Sequence, residues 1–287
     1  MKRFFYGGCS YTQYAYPTWG DILAYDKLNH KGYDFAFNLA ISGGCNQLIA
    51  SRFAWADKKY KFTAQDEIAV LWTSLFRESV LGTWNDEPDS HWHAYGNSFN
   101  NHLWSEVTNQ PYLHNTYNML DRNMTTMHYV EKLYKPFFQG RIGSHDNADD
   151  LSYDQLCEND VVNRLKYQTL DSSLEEFYNG YLALPRFDNY PLPSDLHNDI
   201  FSAHPNIKAH LNYAMSITDL DDSTISYFEK LYNDIQEMLN KVSIDSNYYQ
   251  QNKHEYHNQV SKFCSDIFLS PGWENIWGID ISEVHYS

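Results

Sequence analysis

Residues 3–12 read RFFYGGCSYT, a short apolar run that stops at two glycines and continues into small polar residues. The run at residues 3–6 is typical of a short buried strand, and the glycine pair marks the turn that follows it. Helical and strand-like patterns then alternate along the chain, at residues 17–28, 34–39, 49–60 and 67–72. Strands that alternate with helices predict a parallel sheet with right-handed crossovers, that is, an α/β protein.

The regular alternation stops after the third strand. Residues 84–115 are rich in Asn, His and Trp without a sustained period, and only scattered helical patterns follow. We therefore expect an α/β domain over residues 1–220 that carries a long, mostly irregular and helical insertion at about 84–190. Strong amphipathic spacing after residue 221 predicts a C-terminal helical extension, residues 221–287, packed on that domain.

Composition excludes several classes of function. The chain has 287 residues, a formal net charge of −16 and 17% aromatic residues, which argues against disorder. An acidic surface disfavours binding to nucleic acid or to an anionic membrane and favours a neutral ester as substrate.

Neither a signal peptide nor a run of about 20 apolar residues is visible, so we expect a cytoplasmic location at synthesis. Four scattered cysteines predict reduced thiols and neither disulfides nor a metal site.

Candidate chemical groups follow the three predicted strands. Ser10 lies just after the first strand, and the glycines 43–44 follow the second. Thr73, Ser74 and Arg77 come directly after the third. Because ligands of parallel sheets bind at the carboxyl ends of the strands, we expect these residues to share one crevice.

A histidine far downstream completes the set. His204 precedes Pro205, which fixes the entry into a predicted helix at residues 206–217. A histidine held on such a rigid loop is a candidate general base for activating Ser10.

In this order, GGCSYT with Ser10, NLAISGG with Gly43 and the pair His204-Pro205 resemble the SGNH (GDSL-type) hydrolase family of esterases and lipases. The resemblance covers residues 3–75 and 200–216. It implies a flavodoxin-like three-layer α/β/α domain that hydrolyses esters, often acetyl esters of carbohydrates, without a cofactor. It also implies that Ser10 is the nucleophile, His204 the base, and the N–H groups of Ser10 and Gly43 the oxyanion hole.

Three positions depart from the pattern of that family. Cys9 stands where the family has Asp before its nucleophile. The oxyanion-hole Asn of the third block is absent, and the hydroxyl of Thr73 or Ser74 is the expected substitute. The family's Asp two or three residues before the base is also absent, which leaves Asp199 as the candidate orienting carboxylate.

The leading hypothesis is a serine esterase that removes acyl groups, such as acetyl, from a carbohydrate or a similar polar ester. Asn46, Arg77 and Trp92 are the candidate substrate-binding residues, Trp92 because it lies in an aromatic, Asn-rich stretch on which a sugar could stack. The alternative is a catalytically weakened or inactive relative that binds a glycan or serves as a structural protein in a larger assembly, such as a virus particle. The departures from the family pattern favour that alternative.

Overall fold

The computed structural model describes residues 1–14, 16–75, 77–82, 91–95, 116–142, 172–187, 205–243 and 262–278. Its strands are β1 (Arg3–Gly7), β2 (Phe35–Asn38), β3 (Glu67–Trp72), β4 (Glu78–Gly82), β5 (His91–Tyr95), β6 (Phe138–Arg141) and β7 (Ile276–Trp277). Its helices are α1 (Trp19–His30), α2 (Asn46–Tyr60), α3 (Thr116–Tyr134), α4 (Ser172–Leu182), α5 (Ile207–Ile217), α6 (Asp222–Ser243) and α7 (262–268). In this part of the chain, no helix combines the length and the apolar character needed to cross a bilayer.

Five strands form a parallel sheet in the order β6-β3-β1-β2-β7. The central strand is β1, in which all five residues are buried. The chain leaves β1 toward β2 on one side and then returns to β3 on the other, so the winding reverses at β1. In sheets of this kind, that reversal opens a crevice at the carboxyl ends of the strands. The predicted α/β class with a parallel sheet is confirmed.

Helices cover both faces of the sheet. Because side chains alternate along a strand, Phe4 and Tyr6 of β1 enter the core with α1, α5 and α6, which we call the α1 face. Phe5 enters the opposite core with α2, α3 and α4, which we call the α2 face. Burial on both faces explains why the sequences of β1 and β3 are apolar without a polar alternation.

The predicted insertion at about 84–190 needs correction. Strand β6 lies inside that range and pairs with β3, and α3 packs against α2, so residues 116–142 are part of the main fold. Periodicity missed β6 because its sequence FQGR has a single large apolar residue. The C-terminal region also contributes to the sheet, since β7 pairs with β2 and Trp273 lies in the core of the α1 face.

Candidate active site

Ser10 lies in the loop between β1 and α1, residues 8–13, which we call the Ser10 loop. The carbonyl of Cys9 accepts hydrogen bonds from the N–H groups of Thr12 (2.8 Å) and Gln13 (3.2 Å), which closes a tight turn at Ser10. Ser10 is 8% exposed, whereas the neighbouring thiol of Cys9 is fully buried in the core. Among the described residues, neither the hydroxyl nor the N–H of Ser10 has a hydrogen-bond partner. Both groups therefore remain available to a ligand.

A buried polar network holds the Ser10 loop against the sheet. The carbonyl of Thr12 accepts from Thr18 Oγ1 (3.0 Å) and from Asn38 Nδ2 (3.0 Å). The carboxylate of Asp21 accepts from Tyr6 Oη (2.5 Å), Thr18 Oγ1 (2.7 Å), Thr18 N (2.8 Å) and Asn38 Nδ2 (3.1 Å). Burial, followed by the nearby Asp21 carboxylate, raises the pKa of Tyr6 well above its ordinary value, so Tyr6 stays a donor. The network thus joins β1, β2 and α1 beneath the loop.

Gly43 lies in the segment after β2, residues 39–45, which we call the Gly43 loop. The N–H of Ile41 donates to the carbonyl of Gly8 (3.0 Å), and the N–H of Ser42 donates to Gln13 Oε1 (3.1 Å). These two bonds hold the Gly43 loop beside the Ser10 loop. Gly43 has φ +73°, a conformation that favours glycine, and its N–H has no acceptor among the described residues.

Asn46 connects the start of α2 to the end of β3. Its Nδ2 donates to the carbonyls of Thr73 (3.1 Å) and Ser74 (3.4 Å), and its Oδ1 accepts from the N–H of Thr73 (3.0 Å). Asn46 is fully buried, so its amide positions the end of β3, a role that differs from the expected contact with substrate. The Thr73 hydroxyl is buried and, within the described ranges, has no partner. Of the two hydroxyls expected to replace the missing Asn, that of Thr73 is therefore the available donor.

Replacing Asn46 by alanine should lower the free energy of unfolding by about 2 kcal/mol, because the buried N–H of Thr73 loses its acceptor. Gln47→Ala is the matched control, since neither buried amide atom of Gln47 has a partner among the described residues, so this substitution removes an amide without removing a hydrogen bond. Urea unfolding followed by tryptophan fluorescence measures both values. Equal losses in the two variants would contradict the assigned role of Asn46.

His204 and Asp199 lie outside the described residues, but the residue after His204 is well placed. Pro205 is buried, and its carbonyl accepts a hydrogen bond from the hydroxyl of Tyr16. In α5, Nδ1 of His210 accepts from the first N–H of α1 (3.3 Å). Two bonds therefore hold the start of α5 beside the segment that joins the Ser10 loop to α1.

Two more candidate residues stand apart from this group. Arg77 is half-buried after β3, and its Nη1 is buried without a partner among the described residues. Trp92 lies opposite Leu81 in the antiparallel ribbon formed by β4 and β5, and its side chain is outside the described part. The structure thus gathers the following candidates at the carboxyl edge of the sheet: Ser10, Gly43, Asn46, Thr73 and Ser74.

Sequence reasoning missed two features of this edge. The pair Thr18 and Asp21 forms a capping box at the start of α1, and its spacing, Thr-x-x-Asp, was a visible signal. Arg141, the last residue of β6, is buried at the same edge. Nothing in its local sequence indicates this position, because it depends on the pairing of β6 with β3.

No model of a protein family matches this chain, and no curated protein matches its sequence. Within the described ranges, no group of three or more His, Cys, Asp or Glu side chains is arranged to hold a metal ion.

Proposed function

We propose that this protein is a serine ester hydrolase of the SGNH type that removes acyl groups, such as acetyl, from a carbohydrate or a similar polar ester. The main observation behind the proposal is the pair of N–H groups of Ser10 and Gly43. They lie on adjoining loops at the carboxyl edge of the sheet, and neither has an acceptor among the described residues. Preorganised donors of this kind stabilise the oxyanion of acyl transfer.

The order of the strands supports the same proposal. Strands β2-β1-β3-β6 follow the order 2-1-3-4 of flavodoxin-like sheets, in which the ligand binds where the winding reverses. In this chain the reversal is at β1, and the Ser10 loop follows β1 directly. A flavodoxin-like arrangement is therefore the finer fold that we propose.

In the proposed reaction, His204 accepts the proton of the Ser10 hydroxyl while Oγ attacks the acyl carbon. The N–H groups of Ser10 and Gly43 and the hydroxyl of Thr73 donate to the oxyanion of the tetrahedral intermediate. Collapse of the intermediate releases the alcohol, which takes its proton from His204. Water, deprotonated by His204, then cleaves the acyl-enzyme, and Asp199 is the proposed carboxylate that orients the imidazole.

The role of His204 is supported by the anchoring of its neighbour. The hydrogen bond between Tyr16 and Pro205 fastens the chain directly after His204 to the segment that follows the Ser10 loop. The fixed φ of Pro205 adds to this anchoring of the start of α5. This arrangement fits a base that serves Ser10.

A fluorophosphonate probe tests the proposal directly, since it reacts with an activated serine. We expect one label per chain, mapped by mass spectrometry to Ser10. The label should persist in Cys9→Ala and form much more slowly in His204→Gln. A label on Cys9 would contradict the assignment of the nucleophile, and absence of labelling would favour the non-catalytic alternative.

A further inference from the structure

Arg141 is a buried cation without a counter-ion in the described part of the chain. It is 3% exposed, and its Nε and Nη1 atoms are buried without hydrogen-bond partners. Its backbone is firmly held, because its N–H donates to the carbonyl of Pro185 and its carbonyl accepts from the N–H of Phe187, both at 2.9 Å. The backbone at Arg141 is thus fixed, whereas Nε and Nη1 of its side chain have no acceptor among the described residues.

Arg3 is the other buried arginine among the described residues, and it has the hydrogen-bond partners expected of an arginine with a structural role. Its Nε and Nη2 donate to the two carboxylate oxygens of Asp66 at 2.7 Å and 2.6 Å. Its Nη1 and Nη2 also donate to the carbonyls of Tyr60 and Lys61. Arg141 has no comparable set of acceptors within the described ranges, although a guanidinium that is buried away from water needs acceptors to offset its lost hydration. A guanidinium cannot lose its charge to escape this penalty.

The surroundings of Arg141 connect its side chain to the end of β3. Arg141 is paired with Trp72 in the register of β6 and β3, so both side chains point to the α2 face. Its Cζ lies 5.2 Å from the ring centroid of Tyr181, whose hydroxyl donates to the carbonyl of Thr73 (3.2 Å). Tyr181 therefore connects Arg141 to the end of β3, next to the residues gathered at the carboxyl edge.

A cavity lies on the face of β6 that carries Arg141. A cavity of about 480 Å³ between α3, β6 and α4 is lined by Tyr181 and by Gln139, which precedes Arg141 on the same face of β6. Glu131 and Glu176 line other walls of this cavity. Arg141 is not among the residues that line this cavity; it is the next residue on the same face of β6 after Gln139, toward the carboxyl edge of the sheet.

We infer that Arg141 binds a carboxylate of the substrate through its guanidinium, whose Nε and Nη1 are unpartnered in the described part of the chain. This inference rests on the proposed function and narrows it to esters that also carry a carboxylate, such as an acylated acidic sugar. Strand β6 is the second strand from β1, and neighbouring strands lie about 4.8 Å apart. The carboxylate bound by Arg141 would therefore lie about 10 Å from the Ser10 loop. An anionic substrate departs from the neutral ester that the net charge of −16 led us to expect. Salt screens surface charges beyond about 8 Å, so a ligand in contact with Arg141 is governed by that local charge.

Thermal unfolding of the full chain with succinate as the probe tests the inference. Succinate should raise the Tm in a saturable manner at constant ionic strength, whereas succinamide, its neutral counterpart, should not. Arg141→Gln should weaken the apparent affinity for succinate at least about tenfold, because charge-assisted hydrogen bonds are lost. Arg141→Lys keeps the positive charge but cannot form the bidentate hydrogen bonds of a guanidinium, so it should also bind succinate more weakly than the wild type. Arg122→Gln, an exposed arginine on α3, is the matched control and should respond like the wild type.

Without ligand, Arg141→Gln should unfold at the same temperature as the wild type or higher, since the variant no longer buries an unpaired charge. A wild type whose Tm does not respond to succinate would overturn the inference, and so would an Arg141→Gln variant that binds succinate as tightly as the wild type. A response to inorganic phosphate but not to succinate would overturn the assignment of a carboxylate. The same titration in Ser10→Ala keeps the two proposals apart, because succinate binding there does not depend on ester hydrolysis.

Discussion

Replacing Ser10 by alanine is expected to lower kcat for 4-nitrophenyl acetate by at least about 10²-fold. Removing the nucleophile from a complete Ser-His-Asp triad lowers kcat by about 10⁶, and loss of the orienting carboxylate alone lowers it by about 10⁴. The ratio of these two factors, roughly 10², is the decrease in kcat expected for Ser10→Ala if no carboxylate orients His204. A larger effect of Ser10→Ala would therefore indicate that a carboxylate orients His204, and comparison with Asp199→Ala would test whether Asp199 supplies it.

The control for this experiment is Ser51→Ala, the same substitution on the exposed side of α2. The Ser51 hydroxyl donates only to the carbonyl of Leu48 in its own helix (2.8 Å), so kcat should be unchanged. Both variants should keep the Tm of the wild type, because, within the described ranges, Ser10 has no side-chain hydrogen bond to lose. Equal rates for wild type and Ser10→Ala would remove Ser10 from the nucleophile role and favour a binding protein.

The parts of the fold that could be predicted are those with a strong local pattern. Strand β3 occupies residues 67–72 as expected, because EIAVLW is a continuous apolar run bounded by polar residues. The start of α1 was placed two residues early, at Pro17, because the capping box of Thr18 and Asp21 was overlooked. Strands β6 and β7 were missed, since four and two residues of mixed character carry no period.

The candidate site shows the same division between local and long-range information. Ser10, Gly43 and Thr73 could be placed at one edge from the order of strands alone, because the carboxyl ends of parallel strands coincide. Sequence could not show whether the amide of Asn46 faces a ligand or Thr73. The sequence also could not predict that Arg141 is buried, because its position depends on the register of two strands about 70 residues apart.

Asp21 shows how a buried carboxylate can support both the fold and the candidate site. It accepts hydrogen bonds from β1, from the start of α1 and from Asn38, which in turn holds the carbonyl of Thr12. Asp21→Ala is expected to lower the free energy of unfolding by about 3–5 kcal/mol, because several buried donors lose their acceptor at once. Asp234→Asn, in an exposed pair with Lys230, is the control and should change it by about 0.5 kcal/mol or less.

The pH dependence of the free energy of unfolding separates the effect of ionising Asp21 from the effect of its hydrogen bonds. Burial raises the pKa of the Asp21 carboxyl, and its hydrogen bonds from Tyr6, Thr18 and Asn38 offset this only in part, so the net shift is upward. Between the unfolded pKa, about 3.9, and the higher folded value, the native state holds more protons than the unfolded state. The contribution of Asp21 is therefore complete below about pH 3.9 and decreases as the pH rises through the folded pKa. In urea unfolding from pH 3.5 to 8, the stability of the wild type relative to Asp21→Asn should fall with rising pH, and an increase would contradict an upward shift.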